Sequence, residues 1–151
     1  MQTITGKNII QSLPNGIRII YQQVQSKNSH LGLMFNVGSR DETARQNGLA
    51  HLTEHLLFKG TPTRNYMDVI STIENVGGEI NAYTSKEETC LYASLLSDYY
   101  EQALEVLTDI SFRSCFPDDE ILKEKEIVID EINSYKDSPS ELICDEFEEL
   151  L

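Results

Sequence analysis

The apolar residues change their spacing several times along this chain, and the order of those changes restricts the fold more than any other feature. Two short runs, Ile9-Ile10 and Ile17 to Val24, flank Leu13-Pro14-Asn15-Gly16, where Pro and Asn-Gly supply the dihedrals of a tight turn and predict a hairpin. Leu31, Leu33, Phe35 and Val37 keep a period of two up to Gly38, as a third strand would. From Gly48 to Phe58 the spacing of Leu49, Leu52, Leu56 and Leu57 becomes helical, with Asn47 as the expected N-cap. A second helix is predicted from Tyr66 to Val76, with Met67, Ile70 and Ile73 inward and Gly77-Gly78 as a left-handed stop. Two strands follow, Glu79 to Thr84 and Thr89 to Leu96. Asp98 and Glu101 resemble a capping box opening a helix whose Ala103, Val106, Leu107 and Ile110 form a buried stripe. The last helix is expected to begin near Pro117, with Asp118, Asp119 and Glu120 in its first turn and Ile121, Val128, Ile132 and Tyr135 on its apolar face. The order β-β-β-α-α-β-β-α-α predicts an α+β fold, a largely antiparallel or mixed sheet packed against helices.

At 151 residues one domain, 1–151, is expected, and a chain this long needs no disulfide or structural metal merely to fold. Any metal is then functional. Twelve Lys and Arg among twenty-five acids give a net charge of -13, which excludes the basic patch that nucleic acid or an anionic membrane would require. The acidity either maintains solubility or attracts basic peptides. Cys90, Cys115 and Cys144 are odd in number and form no CxxC pair, so they read as small core residues. The start lacks an apolar signal core and no run approaches the length of a membrane span, which predicts a cytoplasmic protein. Glu148-Glu149-Leu150-Leu151 still fits a helix with no Gly or Pro stop, so the natural protein is expected to continue.

Chemistry concentrates in His51-Leu52-Thr53-Glu54-His55. On a helix, residues three and four apart leave from one face, so both imidazoles and the carboxylate of Glu54 stand together. Two imidazoles so spaced can reach one Zn²⁺ at about 2.0–2.1 Å, and a catalytic zinc has three protein ligands and keeps a place for water. Glu54 would stand beside that water as general base. His30, the third histidine, reads as an ordinary strand residue. The third ligand must come from elsewhere. Glu124 and Glu131 lie seven residues apart on one face of the last helix, beside Val128 and Tyr135, but Glu120, Glu126 and Asp130 compete by pattern alone.

H-x-x-E-H is the inverzincin signature, and the surrounding text resembles the pitrilysin/insulinase family, which includes the mitochondrial processing peptidases and their bacterial relatives. The matching segments are Asn47-Gly48-Leu49-Ala50, Phe58-Lys59-Gly60-Thr61, Gly77-Gly78 with Asn81-Ala82-Tyr83-Thr84, and the acidic helix around Glu124 and Glu131. The resemblance implies zinc held by His51, His55 and Glu131, with Glu124 orienting the site and Asn81, Ala82, Tyr83 and Thr84 on an edge strand that takes up an extended peptide.

It also implies hydrolysis of peptide or unfolded-protein substrates, with a second, similarly folded domain or subunit that closes over them. These 151 residues lack that second half, so the piece alone is expected to be weakly active or inactive and to self-associate through exposed apolar surface. Two rival readings are a non-catalytic scaffold or partner subunit of the same fold, and a lyase that cleaves a ribosyl-homocysteine thioether with an inverted histidine motif. The intact His51, Glu54, His55 and Glu131 weigh against the first, and the match after Gly77 weighs against the second.

Overall fold

The computed structural model describes residues 8–140 together with residues 142, 143 and 147. Cys144 and the Glu148–Leu151 pattern lie outside the described residues. Strands β1 (Ile9–Ser12) and β2 (Arg18–Tyr21) form an antiparallel hairpin with Ile10 opposite Ile20. Its turn closes through Gly16 N–H to the Leu13 carbonyl at 3.0 Å, and Gly16 takes φ +92°, a conformation that favours glycine.

The main sheet has three antiparallel strands in the order β3-β5-β4: β3 is Asn28–Phe35, β4 is Glu79–Thr84 and β5 is Thr89–Leu96. β5 is central, so among the described residues β4 has a free outer edge. Helices α1 (Leu49–Leu57), α2 (Tyr66–Glu74) and α3 (Tyr100–Phe112) contact the sheet, and α4 (Asp118–Lys136) packs on α1. The core is the apolar face where they meet: Leu57, Val69, Ile73, Leu91, Ala93, Leu95, Val106, Leu107 and Ile110 are buried together. Gly78 is wedged there, since a Cβ would stand 2.8 Å from both Ile73 Cγ2 and Leu95 Cβ. No helix among the described residues is long and apolar enough to cross a membrane.

The expected order of elements is present, with local departures that tertiary contacts explain. α1 is preceded not by an Asn47 cap but by Gly48 at φ +86°, and the Glu42 carboxylate accepts from Gly48 N–H at 2.8 Å and Ala50 N–H at 2.6 Å. A distant acid thus satisfies amides that a local side chain leaves open. In α2, Val69 and Ile73 face the core and Met67 is exposed, because contacts with α3 and β4 set the helix rotation. The Asp98–Glu101 capping box does not form: a short 3-10 turn, Ser97–Tyr99, precedes α3, and Glu101 instead accepts from the Tyr100 hydroxyl. Val37 lies beyond β3, and Val37, Ile132 and Tyr135 are exposed. Cys90 is buried, whereas Cys115 is exposed.

Candidate metal centre

α1 carries the motif, and its antiparallel neighbour α4 supplies the acids. His51 and His55, one turn apart on α1, bring their Nε2 atoms within 3.2 Å of each other, with ring planes crossed at 87°. Glu131 reaches over from α4: its Oε2 lies 3.4 Å from His51 Nε2 and 3.6 Å from His55 Nε2. These donors were expected to converge from separate helices, and they do.

The size of the triangle is informative. Three ligand atoms on one face of a tetrahedron with bonds near 2.0–2.1 Å stand about 3.4 Å apart, which is the scale of these separations. The chemistry fits as well, since two imidazole nitrogens and a carboxylate oxygen form a borderline-soft donor set that suits zinc. Among the described residues this is the group of histidine, cysteine and acid side chains whose donor atoms gather closely enough to hold a metal.

Glu124, one helical face with Glu131 but two turns earlier, takes a different position. It is 5% exposed, and its Oε2 stands 2.9 Å from His55 Nδ1. A carboxylate at Nδ1 selects the tautomer with hydrogen on that nitrogen, which leaves the Nε2 lone pair toward Glu131 and His51. Glu124 Oε1 pairs with Lys59 Nζ at 2.5 Å. Burial raises the Glu124 carboxyl, but hydrogen bonds from Lys59 and then His55 outweigh it and hold the group below its ordinary value. The rivals on α4 do not enter the triangle, and Glu120 turns instead to Lys59 and Lys123.

Glu54 projects between two clefts. One, of about 370 Å³, is lined by Ser39, His51, Glu54 and residues 82–85, so that the motif faces the free edge of β4. The other, about 270 Å³, runs past His55, Lys59, Tyr66, Asn81 and Glu124. Of the predicted strand residues, Ala82, Tyr83 and Thr84 line the first cleft and Asn81 the second. The Asn81 side chain accepts from Ala82 N–H at 2.8 Å, and the Tyr83 hydroxyl donates to Glu88, a bond that pushes its pKa up to about 12. His30 is remote in role: it lies on β3 with Nδ1 3.0 Å from Ser94 Oγ. Sequence reasoning missed Ser39 and Ser85 in the cleft, and it quoted Lys59 without assigning it a partner.

A family model described as insulinase, peptidase family M16, matches residues 18–149. The chain belongs to that family. A Bacillus subtilis (strain 168) protein called an uncharacterized zinc protease, YmxG, is 40% identical over 132 residues, 87% of this chain and 32% of its own length. The crystal structure of a protease from Helicobacter pylori superposes with a TM-score of 0.86 at 26% identity, over 91% of this chain and 33% of that one. A peptidase M16 inactive domain from Pseudomonas fluorescens, 21% identical with a TM-score of 0.78 over 89% of this chain and 33% of its own, shares the fold. This M16 chain therefore spans about a third of the length of such relatives.

Proposed function

We propose that this M16 chain supplies the zinc-holding and water-activating part of an endopeptidase or oligopeptidase site acting on peptide or unfolded-protein substrates. The observation that carries the reading is the triangle of His51 Nε2, His55 Nε2 and Glu131 Oε2 beside Glu54, facing the free edge of a strand. His51, His55 and Glu131 hold the ion. Bound zinc would polarise the scissile carbonyl and lower the pKa of a water molecule toward neutrality. Glu54 takes the proton of the attacking water and returns it to the leaving amine, a role worth roughly 10²–10⁴-fold in rate. Glu124 fixes the ring of His55. An extended peptide adds to the outer edge of β4 at Asn81–Thr84 through main-chain hydrogen bonds, beside the cleft that contains Glu54.

Residues 1–151 form the N-terminal metallopeptidase domain of a longer protein in this reading, and a second, similarly folded domain or subunit excludes water from the bound peptide. The length of the relatives supports it. The alternative, a scaffold or partner subunit, draws on the inactive M16 domain that shares the fold. A scaffold has no evident use for Glu54, and this separates the two.

Zinc titration with competing chelator tests the ligands: about one zinc per chain is expected for the wild type and none for His51→Ala, and equal binding would defeat the assignment. Glu54→Gln is expected to keep zinc and lose peptide hydrolysis by about 10²–10⁴-fold in the natural full-length protein. Hydrolysis by Glu54→Gln at the wild-type rate would exclude Glu54 as the general base, whereas a zinc-loaded full-length wild type with no hydrolysis would favour the scaffold reading.

A further inference from the structure

Glu124 divides its two oxygens between two partners, and the second has no role in the scheme above. Oε2 faces His55 Nδ1 at 2.9 Å, while Oε1 lies 2.5 Å from Lys59 Nζ. A carboxylate held only at Oε2 could swing about its terminal torsion, which is broad and soft in glutamate. Held at both oxygens, its plane is fixed, and so is the direction from which His55 is gripped. Lys59 is itself restrained. Its side chain is 19% exposed, its Nζ lies 5.1 Å from the Tyr66 ring centre, and Glu120 Oε2 stands 3.8 Å away. It directly follows Phe58, the C-terminal cap of α1, so the clamping cation is anchored at the end of the helix that carries His55.

We propose that Lys59 is a positioning residue for the metal centre: by clamping Glu124 it holds His55 in the tautomer and orientation that present Nε2 to His51 and Glu131. This rests on the zinc-site reading above. A purely structural alternative makes Lys59 an ion-pair tie between α1 and α4, and the two differ in what they predict for His55. Replacing the ammonium leaves the buried Glu124 carboxylate with one partner and freedom to rotate, so the imidazole loses its fixed donor direction.

The test uses the full chain, with zinc itself and ¹⁵N-labelled histidine as probes. In metal-free wild type, long-range ¹H–¹⁵N spectra are expected to show His55 as the Nδ1–H tautomer, and in Lys59→Met a mixture with the Nε2–H form. Zinc dissociation constants from chelator competition are expected to rise about 10–100-fold in Lys59→Met, the cost typical of losing a group that orients a ligand. Lys59→Arg, which keeps a cation at the clamp, should restore both readouts to within about threefold of wild type. Lys59→Gln replaces Lys59→Met should the latter not fold. A single Nδ1–H tautomer with unchanged zinc affinity in Lys59→Met overturns the proposal, and so does an equal loss in Lys59→Arg. Wild type that binds no zinc yet shows the tautomer change defeats the zinc reading and leaves the clamp standing.

Discussion

Asp109, on α3, is 5% exposed and holds its charge there by gathering partners from the loop between α1 and α2. Thr61 Oγ1 donates to its Oδ2 at 2.8 Å, Thr63 Oγ1 at 3.2 Å and Arg64 Nη1 at 2.7 Å. Arg64 also reaches Glu105 at 2.8 Å. Asp109→Ala leaves Arg64 Nη1 and the buried Thr61 hydroxyl without this acceptor, so a loss of about 3 kcal/mol in chemical denaturation is expected. Burial raises the Asp109 carboxyl from its ordinary 3.8, but the hydrogen bonds of Thr61, Arg64 and Thr63 outweigh it and leave the folded value lowered. A lowered folded value means that the unfolded chain takes up the proton first as pH falls. The stabilisation is thus complete above the ordinary value and is lost on acidification through the lower folded one. The stability gap between wild type and Asp109→Asn should stay flat from pH 8 to about 5 and narrow below about 4; a gap that widened in acid would refute it. At this scale the sequence was legible only where a pattern is local. His51, Glu54 and His55 share a helical face by spacing, whereas the partners of Asp109 and Lys59 come from other elements, and no periodicity brings Thr61 or Glu124 to them.

α1 must hold its first turn for His51 to face Glu131, and that turn is closed by a residue from outside the helix. Gly48 and Ala50 donate to Glu42, whose carboxylate sits at the positive end of the helix dipole. Glu42→Ala is expected to cost about 1 kcal/mol, or about 3 °C in melting temperature for a chain of this size, and to weaken zinc binding more than a core substitution of equal cost. Calorimetry and zinc titration on the same preparations check both. An unchanged melting point would show that water replaces the cap. Elements were read well because turn chemistry and period agree: Gly77 takes φ +75° and ends α2, and Gly78 N–H bonds back to the Ile73 carbonyl at 3.0 Å. Helix rotation was read less well. Met67 and Val69 are both apolar, and only the packing of α2 on α3 and β4 buries the second and leaves the first in water. Ile132 and Tyr135 continue a helical stripe past the point where α4 has core beneath it, and they stay exposed.

The whole molecule joins a well-packed three-stranded sheet to a hairpin whose apolar residues have little to cover them among the described residues. Ile10 and Ile20 face each other across β1 and β2 at 71% and 73% exposure, and Ile9, Ile19 and Tyr21 are exposed beside them. Removing apolar surface from water yields roughly 25 cal/mol per Å², so such a cluster favours burial against another surface. A net charge of -13 opposes association by repulsion that salt screens, with a Debye length of about 10 Å at 0.1 M. The two effects predict a signature: self-association that grows with added salt, since screening removes the repulsion and leaves the apolar attraction. Sedimentation velocity across a salt series is expected to show a rising average mass for the wild type and a constant monomer for the pair Ile10→Lys and Ile20→Lys. Charge could confuse that comparison, because the added lysines lower the net negative charge. Ile10→Thr and Ile20→Thr, which remove the apolar groups at constant charge, should behave like the lysine pair. Association that weakens with salt would mean that ionic contacts hold the copies together, and association that still grows with salt in the threonine pair would place the contact on another apolar surface.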